Sequence, residues 1–311
     1  MSKKVVVVGS INLDLVVRAP RIPVAGETLI GTEFQTFPGG KGANQAVAAA
    51  RLGAEVAIIG KLGKDAFGRE LKGGLEQAGV NTTTLGLSER PSGVALITTD
   101  ASGNNSITVI PGANHDVLPS DVDANRDLIW SAGFVLAQLE IPLQTVKHLA
   151  GICSERGVPF MLDPAPAQGL PDALLQQVTW LTPNETETCQ LLGLGVQELT
   201  DELLEGSAAA LFERGCGNVI LKLGARGCYV ALADGTRKLV SGYKVRAVDT
   251  TAAGDAFNGA LAVAMLSGKD PIAAARWASA VAAVSVTRPG AQPSMPTLSE
   301  VERFLEQMPS N

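Results

Sequence analysis

The stretch RAVDTTAAGDAFNGA, residues 246–260, places three small residues and one acid directly before an apolar segment that predicts a helix. Ala252, Ala253 and Gly254 carry almost no side chain, so their amides would lie at a helix N-terminus, where unpaired N–H groups and the helix dipole favour an anion such as a phosphoryl group. Asp255 lies at the same end. We expect it to be ionised at neutral pH and able to accept a proton. An ordinary N-terminal helix residue would account for the acid but not for the small residues before it.

Around this stretch, short all-apolar runs alternate with segments of helical period. KVVVVGS predicts a buried strand over 3–9, and an alanine-rich helix follows over 42–53. Strands that are apolar on both faces, with helices between them, indicate a three-layer, Rossmann-like α/β core whose sheet is mostly parallel. Three helices are predicted to close the chain. The other predicted strands cover 55–60, 133–140, 158–166, 218–224 and 227–232, and the other predicted helices cover 65–79, 143–157 and 184–193.

Two segments, 12–40 and 92–110, interrupt the alternation. Prolines, glycines and period-two patterning replace helix there, and TDASGN predicts a hairpin turn. A small antiparallel sheet inserted into one α/β domain over 1–311 would account for both segments. It would form a lid over the carboxyl ends of the core strands, where open α/β sheets bind ligands, and it could pair with a second copy of the chain. A β-rich excursion without such a role is the alternative.

The composition narrows the classes of partner. The 311 residues carry 31 acidic and 25 basic side chains, a formal net charge of −6, and so provide no basic surface for a nucleic-acid backbone. The apolar run before Gly9 is too short for a signal-peptide core or a membrane span, so we expect a cytoplasmic protein with no membrane partner. No metal-ligand spacing or C-x-x-C pair occurs, and we expect packing or surface roles for Cys153, Cys189, Cys216, Cys228, His115 and His148.

The common nucleotide-binding loops are missing from the sequence. There is no G-x-x-x-x-G-K-[ST], and GGKGAN over 39–44 does not match G-x-G-x-x-G, which counts against a dinucleotide-dependent oxidoreductase. The glycines of 39–44 still allow backbone amides to approach a ligand at the mouth of a helix, and Lys41 adds a mobile positive charge. A tight turn that needs positive φ is the alternative for this loop.

These residues carry a family resemblance. DTTAAGD over 249–255 closely resembles the D-T-x-[GA]-A-G-D signature of the ribokinase-like, or PfkB, sugar kinases, and GGKGANQAVAAARLGA over 39–54 resembles their N-terminal signature. The resemblance covers nearly the whole chain and implies the ribokinase-like fold with its β lid. Five shorter motifs follow in the family's order, at 9–15, 63–68, 183–187, 223–227 and 288–294.

The resemblance implies in-line transfer of the γ-phosphoryl group of ATP to the 5-hydroxyl of D-ribose. Asp255 would be the base, and the amides of Ala253 and Gly254 would stabilise charge on the transferring group. Ala252 occupies a place where many members have glycine, and its methyl group is tolerated if φ is negative. The resemblance also implies Mg²⁺ and a monovalent cation, K⁺, as cofactors, and a homodimer formed through the lid.

The other site residues are likewise implied by the resemblance, position by position. A polyol needs several short polar groups that converge from different loops. The sugar-binding positions are Asn12, Asp14, Gly39, Gly40, Lys41, Asn44 and Glu140, together with Asp255. The nucleotide positions are Asn184, Lys222, Leu223, Gly224, Ala225, Arg226, Gly227, Gly254 and Ser279, with Glu187 holding Mg²⁺ through water. The monovalent cation would be held by Asp249, Thr251, Ser285, Arg288, Gly290 and Ser294, mostly through backbone oxygens.

Other functions stay open at this point. The acceptor could be 2-deoxyribose, another pentose or hexose, or a nucleoside, although the predicted lid offers only Phe34 and Phe37 to stack a base. A non-catalytic sugar-binding regulator built on the same fold is a further alternative. The intact Asp255 and the small residues before it count against that alternative, since neither is needed to bind sugar alone.

Overall fold

The computed structural model of the protein describes residues 4–308, and its first strand shows how the core is divided. The valines of β1 (Lys4–Val8) are all fully buried, but alternate residues face different layers. Val5 and Val7 pack with one cluster of helices, whereas Val6 and Val8 pack with another. A strand apolar on both faces is therefore covered on both faces, as predicted. Lys3 of the predicted strand and the ends of the predicted domain, 1–3 and 309–311, lie outside the described residues.

The secondary structure follows the predicted alternation. The strands after β1 are β2 (Asn12–Arg18), β3 (Glu33–Gly39), β4 (Glu55–Gly63), β5 (Val80–Asn81), β6 (Leu85–Ser88), β7 (Gly93–Thr99), β8 (Asn105–Ile110), β9 (Phe134–Ala137), β10 (Phe160–Leu162), β11 (Trp180–Leu181), β12 (Asn218–Lys222), β13 (Gly227–Ala231) and β14 (Arg237–Ser241). The helices are α1 (Lys41–Arg51), α2 (Ala66–Gln77), α3 (Pro119–Asp123), α4 (Arg126–Trp130), α5 (Leu143–Arg156), α6 (Asp172–Leu175), α7 (Glu185–Leu191), α8 (Asp201–Glu213), α9 (Ala253–Leu266), α10 (Pro271–Ser285) and α11 (Leu298–Glu306). Short 3-10 helices cover Gly112–Asp116, Gly224–Arg226 and Gln292–Ser294.

Over the described residues, the large sheet has ten strands in the order β14-β13-β12-β11-β10-β9-β1-β4-β5, with β6 pairing to the end of β4. All neighbours from β12 to β5 are parallel, and β13 pairs antiparallel with both β12 and β14. Helices α1, α2, α9, α10 and α11 cover one face, and α3 to α8 cover the other. The fold is thus the predicted three-layer α/β core with a mostly parallel sheet.

The two interrupting segments meet in a second sheet. Its order is β3-β2-β7-β8 over the described residues, and we call it the small sheet. The outer pairs, β2 with β3 and β7 with β8, are antiparallel, as predicted, but the central pair of β2 and β7 is parallel. The predicted turn between β7 and β8 is present, and the carboxylate of Asp100 accepts hydrogen bonds there from the N–H groups of Ser102 and Asn104.

Two further predictions concern the burial of the cysteines and whether any helix could span a membrane. All four cysteines are buried, as expected for packing residues, and burial raises the pKa of Cys153, Cys216 and Cys228 to about 12. Within residues 4–308, every helix is too short or too polar to span a bilayer.

Candidate active site

The predicted site residues converge at the carboxyl ends of the parallel strands. A cavity of about 280 Å³ lies there, between the ends of β10 and β12 and the start of α9. A larger cavity, of about 490 Å³, lies away from these residues, against 81–84 and 123–128. The smaller cavity is lined by the predicted residues Lys41, Asn184, Glu187, Lys222, Gly224, Ala252, Ala253, Gly254 and Asp255, and by Asp163, Ala165 and Thr250, which sequence reasoning missed.

Helix α9 begins where the small residues predicted a helix N-terminus. Ala252 is its N-cap, and Ala256 N–H donates the first helical bond to the Ala252 carbonyl at 2.9 Å. Ala253 N–H donates a longer bond, 3.3 Å, to the Thr250 carbonyl. The condition of a negative φ at Ala252 is not met, because its φ is 59° and its ψ is 16°, the left-handed conformation that glycine adopts without strain.

Asp255 is buried at the floor of this cavity, with 4% of its surface exposed. Asn44 Nδ2 donates to Asp255 Oδ2 at 2.9 Å, and Gln45 Nε2 donates to Oδ1 at 3.0 Å. Burial raises the pKa of Asp255, the positive charge of Lys41 lowers it, and the negative charge of Asp163 raises it again. The helix dipole is therefore opposed by desolvation, and the net effect is a carboxylate with more than ordinary affinity for a proton.

Asp163, directly after β10, connects Asp255 to the nucleotide side of the cavity. Lys222 Nζ, at the end of β12, forms an ion pair with Asp163 Oδ1 at 2.9 Å, and Gln45 Nε2 donates to Asp163 Oδ2 at 2.9 Å. Gln138, after β9, donates from Nε2 to Gln45 Oε1 at 2.7 Å. Lys222, one of the predicted nucleotide positions, thus lies in the cavity with only 12% of its side chain exposed.

The sugar-binding positions lie where the small sheet meets α1. Asn12 pairs with Gly39 and Asp14 with Phe37 in the β2–β3 register. A Cβ atom on Gly39 would lie 2.5 Å from Asp14 Oδ2, so glycine is required for this close approach. Gly40 is the N-cap of α1, with φ 85°, so the glycines of this loop do serve a tight turn.

Charged groups meet at this same junction. Glu140 Oε2 accepts hydrogen bonds from Ser10 Oγ at 2.5 Å and from Lys41 N–H at 3.1 Å. Burial first, and then the negative charges of Glu140 and Asp255, raise the pKa of Asp14 to about 7 against the opposing charge of Lys41. Burial alone would lower the pKa of Lys41, but the surrounding carboxylates, with Asp255 first, raise it above its ordinary value.

One sugar-binding position has an open acceptor. Asn44 Oδ1 is buried and has no hydrogen-bond partner among the described residues, while its Nδ2 is held by Asp255. A buried acceptor without a donor is costly, so this oxygen fits a hydroxyl group of a ligand. Asn12 Oδ1 is instead engaged by Asn114 Nδ2 at 2.7 Å, a partner that the sequence did not suggest.

The nucleotide positions are only partly brought together. Asn184 and Glu187 form a reciprocal capping box at the start of α7, with Asn184 N–H donating to Glu187 Oε2 at 2.7 Å. The guanidinium of Arg226 pairs with Glu185 and donates to the Leu199 carbonyl, so its side chain is committed to the protein. Leu223 is buried, Ala225 is exposed and Gly227 opens β13, so of the 223–227 segment only Gly224 lines the cavity. Ser279 lies inside α10, where its hydroxyl donates to the Ala275 carbonyl at 2.9 Å, and it does not line the cavity.

The positions implied for a monovalent cation lie on two adjacent loops. Asp249 joins the loops, because its carboxylate accepts from Thr251 N–H at 2.9 Å and from Gly290 N–H at 2.8 Å. These hydrogen bonds outweigh the effect of burial and lower the pKa of Asp249. Ser285 and Ser294 donate their hydroxyls to the Ala282 and Ala291 carbonyls, and the Arg288 guanidinium pairs with Glu300 at 2.8 Å, so these three side chains have partners within the chain.

Comparison with known proteins identifies the family of this chain. The model of the pfkB family carbohydrate kinases matches residues 2–298. The chain belongs to this family. A ribokinase of Haemophilus influenzae is 43% identical over 308 residues, which cover 98% of this chain and 99% of that protein. The structure of an Arabidopsis thaliana ribokinase complexed with ribose and ATP has a TM-score of 0.93 and 35% identity, over 99% of this chain and 100% of that one. A deoxyribokinase of Salmonella typhi is 36% identical over 303 residues, 97% of this chain and 98% of that protein.

Membership of the family makes this protein a sugar kinase and decides two alternatives left open by the sequence. The interpretation as a dinucleotide-dependent oxidoreductase is wrong, and an enzyme is favoured over a non-catalytic regulator. Three of the residues that sequence reasoning missed, Gln45, Gln138 and Asp163, carry a weak local signal. Gln45 falls inside the N-terminal signature, and Gln138 and Asp163 each follow a buried apolar run, the place where parallel strands present side chains to a ligand.

Proposed function

We propose that this kinase transfers the γ-phosphoryl group of ATP to the 5-hydroxyl of D-ribose, giving ribose 5-phosphate and ADP. The observation that carries the proposal is Asp255, a buried carboxylate with a raised pKa at the N-terminus of α9. Its Oδ2 accepts a hydrogen bond from Asn44, and Oδ1 of Asn44 is a buried acceptor without a hydrogen-bond donor among the described residues. The relatives support it, since a ribokinase from Haemophilus influenzae and one seen with ribose and ATP align over nearly the whole chain.

In the proposed reaction the 5-hydroxyl gives its proton to Asp255 while its oxygen bonds to the γ-phosphorus. The bond between that phosphorus and the bridging oxygen breaks, and its electron pair leaves with ADP. No covalent enzyme intermediate is needed. The amides at the start of α9, that of Gly254 and that of Ala253 with its long bond to the Thr250 carbonyl, would face the charge on the transferring group, and positioning would supply most of the rate. Burial of Asp255 helps, because a base of raised pKa accepts the proton more readily.

The sugar would be held by groups from three parts of the fold. Asp14 comes from the small sheet, Asn44 from α1 and Glu140 from the end of β9. Glu140 uses Oε2 to hold Ser10 and Lys41, which leaves Oε1 for a hydroxyl. Asn12, Gly39, Gly40 and Lys41 complete the set that we propose for ribose. Several short polar groups with fixed partners are what recognition of a polyol requires.

The residues at the nucleotide end fit a phosphate chain with its magnesium ion. Lys222 supplies a cation beside the start of α9, and Glu187 is a buried carboxylate in the cavity wall. Mg²⁺ keeps several waters and needs few protein ligands, so Glu187 would hold it through water, with Asn184 orienting Glu187. The ion would neutralise charge on the phosphates. Among the described residues there is no cluster of three metal-ligating side chains, which agrees with a site that is completed by the nucleotide.

The two loops tied together by Asp249 fit a monovalent cation. Hard cations of low charge are bound by carbonyl oxygens, and the hydroxyls of Ser285 and Ser294 already donate to carbonyls of the chain, so main-chain oxygens are the ligands that we expect. We propose that the carbonyls of Asp249, Thr251, Ser285, Arg288 and Gly290, with Ser294, hold K⁺. Because Thr251 is adjacent to Ala252, cation binding would steady the start of α9. Replacing K⁺ with choline should then lower kcat and not abolish ribose binding.

We propose that the small sheet, with the segments 12–40 and 92–110, is a lid of the single domain and pairs two subunits. Ile107 is 54% exposed and Val109 is 45% exposed, and both lie on the same face of β8. Exposed apolar residues of this size on a sheet mark an interaction surface. Closure over the sugar would exclude water, which could otherwise accept the phosphoryl group. A cytoplasmic location stays a prediction of the sequence.

The test is ADP release with Mg²⁺ and K⁺ present, comparing D-ribose, 2-deoxyribose, fructose and adenosine at equal concentrations. We expect the highest kcat/KM with ribose. A second candidate, 2-deoxyribose, is favoured by the likeness to the Salmonella typhi deoxyribokinase, and it would give the highest value if the pocket buries the 2-hydroxyl of ribose without a hydrogen-bond partner. A preference for fructose or adenosine would leave the phosphoryl transfer chemistry in place but contradict the ribose pocket. Absence of turnover with all four would overturn the proposal.

A further inference from the structure

A continuous chain of buried hydrogen bonds joins the base to the cation on the nucleotide side. Lys222 Nζ contacts Asp163 Oδ1 at 2.9 Å, and Asp163 Oδ2 accepts from Gln45 Nε2 at 2.9 Å. The same Gln45 nitrogen donates to Asp255 Oδ1 at 3.0 Å. Asp163 is 2% exposed, Gln45 is 1% exposed and Asp255 is 4% exposed. Nothing in the reaction proposed above uses Gln45 or Asp163, although both are buried beside the reacting groups.

The orientation of Gln45 is fixed by its other partner. Gln138 Nε2 donates to Gln45 Oε1 at 2.7 Å, so the amide nitrogen of Gln45 faces the two carboxylates. An amide nitrogen has two hydrogens, and each can serve one carboxylate. A flipped amide would place its oxygen against both Asp163 and Asp255 and would lose both bonds. Gln138 therefore holds Gln45 in the only orientation that connects the two acids.

Lys222 is placed to meet the transferring group. Its Nζ lies 3.2 Å from the point that a Cβ atom on Gly254 would occupy, which puts the ammonium directly over the start of α9. Asp163 neutralises this ammonium in the absence of a ligand and restricts the flexible lysine side chain. The base and the cation thus share one rigid support, although they come from α9 and β12.

We propose that Gln45 is a positioning residue, which holds Asp255 and the Asp163–Lys222 pair in one unit, so that the base takes the sugar proton at a fixed distance from the cation that meets the phosphoryl group. This inference rests on the proposed function. The charged groups that face Asp255 are Lys41 from α1, Asp163 from the end of β10 and Asp14 from β2.

The electrostatics give the unit a signature in the pH profile. Asp163 raises the pKa of Asp255 through its negative charge, whereas the hydrogen bond from Gln45 lowers it. Asp163→Asn removes the charge, so the acid limb of kcat/KM for ribose, at saturating ATP, should move to lower pH. Gln45→Met removes the hydrogen bond, so the same limb should move to higher pH. Opposite shifts would not arise from general loosening of the site.

The experiment measures full pH profiles for the wild type, Asp163→Asn, Gln45→Met and Gln138→Leu. We expect kcat to fall by roughly 10- to 100-fold in Gln45→Met, with the KM for ribose within about threefold of wild type, because Gln45 positions the base and does not touch sugar. Gln138→Leu keeps the donor but frees its orientation, so it should shift the acid limb in the same direction as Gln45→Met and by less. Gln77→Met, on the exposed end of α2, is the matched control and should leave the profile unchanged.

Thermal unfolding and ribose binding show whether each variant is folded. If Gln45→Met does not fold, the decision passes to Gln138→Leu and Asp163→Asn. The inference is overturned if these variants turn over at the wild-type rate, or if the acid limbs of Asp163→Asn and of the glutamine variants move in the same direction. Wild-type turnover of ribose separates the two proposals. If the wild type does not phosphorylate ribose, the proposed function fails. If the wild type is active but the variants do not show the expected loss of kcat and opposite pH shifts, only the positioning role of Gln45 fails.

Discussion

The floor of the cavity and the small sheet differ in which side chains are buried and which are exposed. On the floor, polar groups are buried, and Asp255, Gln45 and Asp163 find their partners within the chain. On the small sheet, apolar groups are exposed, with Phe34 62% and Ile107 54% accessible. A buried polar group needs a hydrogen-bond partner within the folded chain, whereas an exposed apolar face is available to bind another molecule. The floor therefore satisfies these three side chains within one chain, whereas the sheet leaves apolar side chains exposed.

From this difference we propose different roles for the two regions. In the proposed reaction the floor holds the base, the anion site and the cation at fixed distances, as the chemistry of phosphoryl transfer requires. In our proposal the sheet controls access to the sugar and pairs two subunits, and both roles depend on contacts that its exposed surface would form. Asp14 connects the two regions, since it belongs to β2 of the sheet but its carboxylate faces Glu140 and Asp255. Variants in each region should therefore fail in different measurements.

The largest effect is expected on the floor, from Asp255→Asn. The amide cannot accept the proton, so kcat should fall by roughly 10²- to 10⁴-fold while ribose binding, measured by calorimetry, stays within a few-fold of wild type. Asp127→Asn, on the exposed surface of α4, is the control that keeps the same chemical change away from the site. Full turnover in Asp255→Asn would refute the assignment of the base.

The next effect concerns the small sheet. Ile107→Glu places a charge on the exposed apolar face, so it should weaken dimerisation by on the order of 10- to 100-fold in sedimentation equilibrium. Thr108→Glu adds the same charge to the neighbouring residue, whose side chain points to the other face of β8, and should weaken it less. Unfolding temperature should be similar in both variants. A wild-type protein that is monomeric at micromolar concentration would contradict the pairing itself.

The two regions also differ in how far the sequence predicts them. The start of α9 could be predicted because Ala252 to Asp255 are consecutive, and a helix N-terminus is a local feature. The contacts of Gln45 with Asp163 and Asp255 could not, because they join residues 118 and 210 positions apart. An alternation of apolar runs gives the layers of the sheet but not which polar side chains meet at its edge.

The same distinction explains the departures from prediction. The turn between β7 and β8 was predicted from a local signal, but the parallel pairing of β2 with β7 joins segments that no local pattern connects. The φ of Ala252 was outside the reach of sequence, since an alanine gives no sign that its backbone is left-handed. Ser279 was carried over from the resemblance, yet in this structure its hydroxyl is satisfied inside α10.

Asp14 offers a test at the junction of the two regions. Its pKa is raised from 3.8 to about 7 in the folded protein, so between these values the folded state keeps a proton that the unfolded state has lost. Stability therefore falls as pH rises through this window, and the loss is complete above pH 7. Asp14→Asn removes it, and urea unfolding should show a gain of about 0.5–2 kcal/mol at pH 8 that largely disappears near pH 4.

The same variant should bind ribose less well, because a carboxylate that accepts hydroxyl protons is replaced by an amide. Gain in stability with loss of affinity is the pattern of a group kept for function at a cost to folding. Asn12→Ala, on the same strand but uncharged, should lose affinity without the pH-dependent gain in stability. A stability gain in Asp14→Asn that is equal at pH 4 and pH 8 would show that the carboxylate is not strained by burial.

The smallest effect is expected at Ala252, where the floor itself holds a strained residue. A left-handed alanine costs about 1–2 kcal/mol, and glycine at the same place avoids this cost but loses about 0.4–1 kcal/mol through the entropy of the unfolded chain. Ala252→Gly should therefore raise the free energy of unfolding by about 0.5–1 kcal/mol, measured with urea. Ala253→Gly, one residue later and helical, should lower it by a similar amount, since glycine weakens a helix. Equal losses in both variants would mean that the methyl group of Ala252 contributes more by packing against α9 than its backbone costs, and that the floor tolerates strain because the surrounding contacts hold it.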